Sequence, residues 1–403
     1  MLKKVEAGRA HPRPKGVVVA PVVPYPPIGG GEKRTLRLLE AMERAGVEPH
    51  VVTAHEGGDP EGLRGYGYHV DVLPAPSPRL WQRVAQHARR LPSPYLGAVA
   101  TRVGALTFSG AAFVQFEHAQ SAYYLDALGN APAVLSMHNV DSALLATVAR
   151  PTRPLTIDWV RGWNRWHSAR ATERRAVPRA AVVLCVSEAD REHFVSLARE
   201  VVLAPNGVDD DLFEVPGLAT DGRQREDVLF FGRLDYGPNL HGVLRFLREG
   251  WPSLAARRPD ARLRIAGIGA GPELQSAVLD ADGVALVGLV PNMVDELLRA
   301  SLVLVPLWQG GGTRLKALES LAAARPAVGT ALGLEQIGFE DGRHGLLADT
   351  PRGLAEATAT LLDDHPRARA MGLEGRRLAD SFRWVETLRP AEDLYRRLLA
   401  ERR

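Results

Sequence analysis

What this chain lacks narrows its class. There is one cysteine, Cys185, in 403 residues, so no internal disulfide framework can staple the fold. It lies in the apolar run AVVLCVS, where a buried, inert thiol is the ordinary outcome. No run of 18 apolar residues occurs, so no membrane-spanning helix is expected. The opening MLKKVEAGRAHPRPKG has no apolar core long enough for a secretory signal. Together these absences predict a cytoplasmic protein. The glycine run PPIGGGEKR at 26–34 lacks G-x-G-x-x-G spacing and lacks G-x-x-x-x-G-K-[ST], which argues against a dinucleotide fingerprint and against P-loop phosphoryl transfer. Acidic residues are missing altogether from Val72 to Phe116.

What is present reads as an α/β protein. Hydrophobic residues make up 45% and charged residues 24%, a globular balance, and the length allows two domains of ordinary size. Apolar runs at 15–20, 47–53, 68–73, 112–116, 133–137 and 181–186 alternate with helical periodicity, notably Leu36, Leu39 and Met42 and the segment Ile157–Arg175. The pattern restarts with strands at 227–231, 261–266, 284–287, 302–305, 327–330 and 345–348. Strands alternating with helices predict parallel sheets covered on both faces. The expected architecture is two doubly wound Rossmann-like domains facing across a cleft, 1–206 and 207–380, with a C-terminal helix, 381–403, packing back on the first. The polar run Val215–Asp227 is the best linker candidate. Ligands of such sheets bind at the carboxyl ends of the strands.

The strongest local pattern is PLWQGGGTRLKALESL, 306–321. An apolar run meets the glycines Gly310–Gly312, and an amphipathic helix follows with Leu315, Leu318 and Leu321. Glycines let backbone approach a ligand, and the helix-start N–H groups favour an anion. Lys316 and Glu319 share a helix face. The pattern suits a phosphate held by loop and cations with a carboxylate left for a sugar hydroxyl; it equally suits a tight turn with an i,i+3 ion pair. Phe231-Gly232-Arg233-Leu234-Asp235 and Ala266-Gly267-Ile268-Gly269 are further strand-end glycine clusters. His138 and Asn139 follow the apolar run AVLSM.

Taken in order, PPIGGGEKR, SMHNVD, LAPNGVDDDLF, VLFFGRLDYGPN, IAGIGAGPEL and VPLWQGGGTRLKALESLAAARPAVGT resemble the nucleotide-sugar glycosyltransferases of family 4, of the two-Rossmann GT-B type. The resemblance runs from about residue 15 to about residue 400. It implies transfer of a sugar from a nucleoside diphosphate to a hydroxyl-bearing acceptor (a glycan, a lipid-linked saccharide or a small molecule) with retention of configuration. It implies no metal, no other cofactor and no nucleic-acid partner. By motif position, Arg233 and Lys316 would act on the diphosphate and His138 beside the reacting sugar. Gly232, Gly267, Gly311, Gly312, Thr313 and Arg314 would line the donor, and Glu319 would hold the ribose. Backbone at Leu289 and Val290 would meet the base, and Gly29, Gly30 and Gly31 would close from the first domain. The chain departs from the family pattern twice: Gly311 stands where a first glutamate is usual, and Asn239 where a lysine is usual. Arg314 and Lys316 are the candidates to supply the missing charge. A silent nucleotide-sugar-binding protein and a GT-B epimerase are the alternatives.

The acid-free stretch carries Arg79, Arg83, Arg89, Arg90 and Arg102 with Trp81 and Tyr95. It suits peripheral attachment to an anionic membrane, or an anionic acceptor met by Arg83 and Arg89; a solvated helix over 79–90 fits as well. Each arginine near an anionic surface would add about 1 kcal/mol, screened by salt. Co-sedimentation with anionic vesicles should therefore exceed that with neutral vesicles and fall with salt; equal retention on both lipids, or none on either, overturns the membrane reading.

Overall fold

All the strand pairings are parallel. The computed structural model describes residues 13–53, 57–73, 96–148, 157–218, 227–310 and 314–402. The chain divides into two units: Met1–Pro205 with Leu388–Arg403, and Asn206–Thr387.

The first unit holds a seven-stranded sheet: β1 Lys15–Val19, β2 Glu48–Thr53, β3 His69–Val72, β4 Phe113–Glu117, β5 Ala133–Ser136, β6 Val182–Cys185 and β7 Val201–Leu203. Its order is β3-β2-β1-β4-β5-β6-β7. The second holds β8 Asp227–Phe231, β9 Arg262–Ala266, β10 Val284–Gly288, β11 Leu302–Val305, β12 Ala327–Gly329 and β13 Gly345–Leu347, in the order β10-β9-β8-β11-β12-β13. Each sheet starts near its middle, winds outward, and returns to wind the other way. That reversal, between β1 and β4 and between β8 and β11, creates a crevice at the carboxyl ends of the strands.

These segments become central strands because both faces are covered. Val17, Val18, Phe113, Val114, Val134 and Val183 are all fully buried, as continuous apolar runs demand. In the second unit Phe230, Val243 and Phe246 pack on one face of the sheet and Leu229, Val303 and Leu321 on the other. The sequence reading missed β7: only three residues long and half-buried throughout, it offers too little apolar signal. The helix Leu96–Phe108, inside the acid-free stretch, also went unread. Its Arg102 pairs within the unit: Nε donates to Asp71 Oδ2 at 2.6 Å. Arg83 and Arg89, and the segment 79–90 read as a helix, lie outside the described residues.

The units part at Pro205–Asn206, upstream of the run read as a linker. Val208, Leu212, Phe213 and Val215 are buried in the second unit's core, apolar residues that the polar surroundings of Val215 disguised. Val208 pairs in parallel with Arg383, tying that unit's start to its end. The last helix, Arg389–Ala400, belongs to the first unit. Tyr395 stacks on Phe113 at 5.3 Å, and Arg44 Nε donates to Glu392 Oε2 at 3.0 Å.

One close approach sets the second crevice. The helix Gly237–Glu249 crosses the end of β11 at Gly242, where a Cβ would lie 2.0 Å from the carbonyl oxygen of Pro306. Gly242→Ala must push helix and strand end apart, an overpacking cost of about 1–3 kcal/mol. A denaturant midpoint that falls accordingly, with unchanged slope, is the expected result; an unchanged midpoint would show that the contact yields freely.

Candidate active site

The second unit gathers bare backbone and one deep cation at its crevice. β8 ends at Phe231, and Gly232 follows with φ +140°; β9 ends at Ala266, and Gly267 follows with φ +143°. Side chains rarely adopt these values. The two loops touch: a Cβ on Gly267 would lie 1.8 Å from the Gly232 carbonyl oxygen. The sheet ladder continues through them, Gly232 N–H donating to Ala266 O at 3.0 Å and Gly267 N–H to Gly288 O at 2.8 Å.

Lys316 comes to the same place from the helix Leu315–Ala322, which follows β11. Its stem is half-buried, and its ammonium lies over the Phe230 ring, 4.3 Å from the centroid. Nζ donates to Asn239 Oδ1 at 2.7 Å, and Asn239 Nδ2 donates to the Arg233 carbonyl at 2.8 Å. A Cβ on Gly232 would stand 3.0 Å from Asn239 Nδ2 and 3.6 Å from Lys316 Nζ. The ammonium is therefore held by an amide oxygen and an aromatic face, beside glycine backbone. Burial drives its pKa down to about 7, helped by Arg314 and opposed by Glu319.

The other expected residues spread around this point. Arg233 lies in the loop after β8, its exposed guanidinium paired with Asp235 at 2.8 and 3.1 Å. Arg314 is buried and donates through Nη2 to Glu335 Oε1 at 2.6 Å. Of the two cations proposed to replace a lysine at position 239, Lys316 is the one beside Asn239. Glu319 sits one turn further along the same helix. Leu289 is exposed and Val290 half-buried in the loop after β10. Gly311, Gly312 and Thr313 lie outside the described residues.

In the first unit, the glycines after β1 face two histidines. Gly29 caps the helix Gly30–Arg44 in extended conformation, and Gly30 and Gly31 open its first turn. A Cβ on Gly31 would stand 3.5 Å from His118 Nε2 and 3.6 Å from His138 Nδ1. His138 follows β5, and its loop is pinned by Ser142, whose N–H and Oγ both reach Glu173, at 2.9 and 2.5 Å. His118 follows β4 with φ +64°, an unusual value for a side-chain-bearing residue. That turn lays its ring on His138, centroids 3.8 Å apart. Burial, with His138 beside it, holds His118 down at about 3, so it is neutral.

Behind His138 lies a residue the sequence reading missed. Glu117, the last residue of β4, is fully buried and meets His138 Nε2 at 2.7 Å. It also accepts from Gln115 Nε2 at 2.5 Å and from Thr35 Oγ1 at 3.3 Å. Burial opposes its charge, but His138 and Gln115 outweigh burial, and the carboxyl lies below the usual range. A signal existed: Gln115 and Glu117 alternate in the strand FVQFE, whose five residues are all buried. Polar residues in a doubly covered strand need a partner, and they mark a network. Among the described residues no group of three or more His, Cys, Asp or Glu is placed to hold a metal ion, and no helix is long and apolar enough to cross a membrane.

Comparison with known proteins agrees with this geometry. The family described as Glycosyltransferase Family 4 matches residues 28–212, and that described as Glycosyl transferases group 1 matches residues 225–364. The chain is 30% identical over 311 residues to the D-inositol 3-phosphate glycosyltransferase of Kineococcus radiotolerans, covering 67% of each. It is 28% identical over 334 residues to the phosphatidyl-myo-inositol mannosyltransferase of Mycolicibacterium smegmatis, covering 79% of this chain and 81% of that one. Among solved structures, the sucrose-phosphate synthase of Thermosynechococcus elongatus superposes with a TM-score of 0.73 at 19% identity, covering 96% of this chain and 100% of that one. Anabaena HepE in complex with UDP-glucose superposes with a TM-score of 0.66 at 15% identity, covering 96% and 99%.

The depressed Lys316 pKa gives a signed prediction. A bound anion stabilises the charged ammonium and raises its pKa. Near pH 8 a nucleoside diphosphate should therefore take up a proton on binding, and affinity should fall as pH rises through about 7. Calorimetry in two buffers of different ionisation enthalpy measures the uptake. In Lys316→Met both uptake and pH dependence should vanish. Zero uptake together with unchanged affinity in Lys316→Met would remove Lys316 from the anion site.

Proposed function

We propose a specific reaction for this chain, which belongs to glycosyltransferase family 4 and has the GT-B fold: transfer of a sugar from a nucleoside diphosphate to a hydroxyl of a phosphorylated polyol, free or lipid-linked, with retention of configuration. The observation that carries the donor half is the meeting of Gly232, Gly267 and the Lys316 ammonium at the crevice of the second sheet. A half-buried cation without a carboxylate hydrogen-bonded to it, set against glycine backbone, suits an incoming anion. A diphosphate leaving group develops charge as its bond to the sugar breaks. A preorganised cation and helix-start N–H groups stabilise that charge without reorganisation.

The reaction exchanges one bond for another. The anomeric carbon–oxygen bond to the diphosphate breaks, the bond to the acceptor oxygen forms, and the acceptor's proton leaves with the nucleoside diphosphate. What surrounds His138 bears on the route by which configuration would be retained. Glu117 is hydrogen-bonded to His138 and Gln115 and fully buried, so it is not free to attack the sugar as a nucleophile. Front-face attack needs only a held acceptor and a stabilised leaving group. Arg233 would have to leave Asp235 to reach the diphosphate, a small cost for an exposed pair.

The acceptor class follows the names of the relatives, inositol 3-phosphate in one and phosphatidyl-myo-inositol in the other. The HepE complex makes a uridine nucleotide the first donor to test.

A transfer assay should pair UDP-, GDP- and ADP-sugars with inositol phosphates and phosphatidylinositol, and NMR should read the anomeric configuration of the product. Net transfer with retention is the expected outcome. Arg233→Ala and Lys316→Ala should each weaken nucleoside-diphosphate binding by about 1.5–3 kcal/mol, the worth of a hydrogen bond to a charged group. An inverted product would overturn the retaining reading. Donor binding without transfer to any hydroxyl acceptor would overturn the assignment of acceptor.

A further inference from the structure

The first unit contains a directed chain of hydrogen bonds ending at His138. Tyr395 O–H donates to Gln115 Oε1 at 2.7 Å. Gln115 Nε2–H donates to Glu117 Oε1 at 2.5 Å. Glu117 Oε2 meets His138 Nε2 at 2.7 Å and Thr35 Oγ1 at 3.3 Å. Every member is buried, and Glu117, Gln115 and Tyr395 are fully so. Arg34, also fully buried, supplies the neighbouring positive charge and is itself fixed by donating through Nη1 to the Ala204 carbonyl at 2.8 Å. Tyr395 comes from the last helix, some 280 residues along the chain from Gln115.

An ionised carboxylate only accepts. Gln115 already donates to it, while the one Thr35 hydroxyl proton is shared with the Gly31 carbonyl at 3.0 Å; the group His138 presents must likewise be a donor, so Nε2 carries the proton. The other nitrogen, Nδ1, then faces the side of Gly31 that lacks a Cβ, 3.6 Å away. His118, stacked on the ring at 3.8 Å, blocks one of its faces.

We propose that Glu117 is a positioning residue, held by Gln115 and Tyr395, which fixes His138 as the Nε2–H tautomer and turns Nδ1 toward the Gly31 helix start to accept a hydrogen bond from a substrate hydroxyl. This rests on the transferase reading of the chain. It assigns the last helix a share in the site through Tyr395, and it explains a glycine at 31: the missing side chain leaves Nδ1 open.

Histidine tautomer is read by two-bond ¹H–¹⁵N correlation in the full-length protein, independently of activity. The unsubstituted protein should show His138 protonated at Nε2; protonation at Nδ1 would overturn the proposal outright. In Glu117→Gln, an amide N–H replaces one acceptor, and the His138 proton should move to Nδ1. Turnover should then fall by ~10²-fold or more, the scale of a misdirected histidine, with nucleoside-diphosphate affinity unchanged. An unchanged tautomer and turnover would sink the assignment.

Gly31→Ala serves where Glu117→Gln fails to fold. Its methyl would meet His118 Nε2 at 3.5 Å and His138 Nδ1 at 3.6 Å, ordinary contact, in a helix that gains from the loss of a glycine. Stability should hold or rise while turnover drops. Full turnover in Gly31→Ala would mean that Nδ1 faces no substrate. The tautomer result stands even if no transfer is detected, so failure of the transferase reading remains distinguishable from failure of this one.

Discussion

An all-parallel sheet covered on both faces has one place for chemistry. Its strand faces are committed to apolar packing, and its backbone groups are spent on the ladder. What remains is the edge where strands end and helices begin, and only there can glycine backbone and side chains turn outward. Both units obey this constraint. Gly232, Gly267 and Lys316 collect at the ends of β8, β9 and β11, and Gly31, His118 and His138 at the ends of β1, β4 and β5. The shared winding, out from the centre and back, puts each cluster at the reversal of strand order.

Within that frame the two units treat buried charge in opposite ways. Glu117 is buried and satisfied: its donors offset the cost of leaving water, so it stays charged and fixes its neighbours. Lys316 is half-buried and incompletely compensated. An amide oxygen and a ring face hold it, and its pKa falls toward neutrality. A satisfied charge is a structural anchor; one held short of full compensation has capacity left for an opposite charge. The same low dielectric produces both, and the partners on hand decide which.

The fold was readable because its signal is local and repeated. Apolar runs of the length seen at 227–231 and 302–305 separated by helical periodicity leave few alternatives to a doubly wound sheet. Short elements such as Val201–Leu203 escaped, since three half-buried residues carry no periodicity. The glycine clusters at 232 and 267 were legible for a related reason. Glycine at a strand end is a local statement about backbone, and φ near +140° at both positions is what it allowed.

The site's connections were legible only in part. Local sequence suggested Lys316 as a cation on a helix start, but which side chain meets it was settled 77 residues away at Asn239. Arg314, its near neighbour and equal candidate, turned to Glu335 instead. Glu117 was hidden in a strand, and its supporting tyrosine lies in the last helix. The sequence by itself determined the class of fold, the ends of the strands that carry function, and the residue types gathered there, because these follow from short-range periodicity and backbone freedom. Tertiary structure alone decided which charges are paired, which cation is held by an amide and a ring face, and which carboxylate meets His138. Those depend on distances between residues far apart in the chain and on the desolvation that packing imposes.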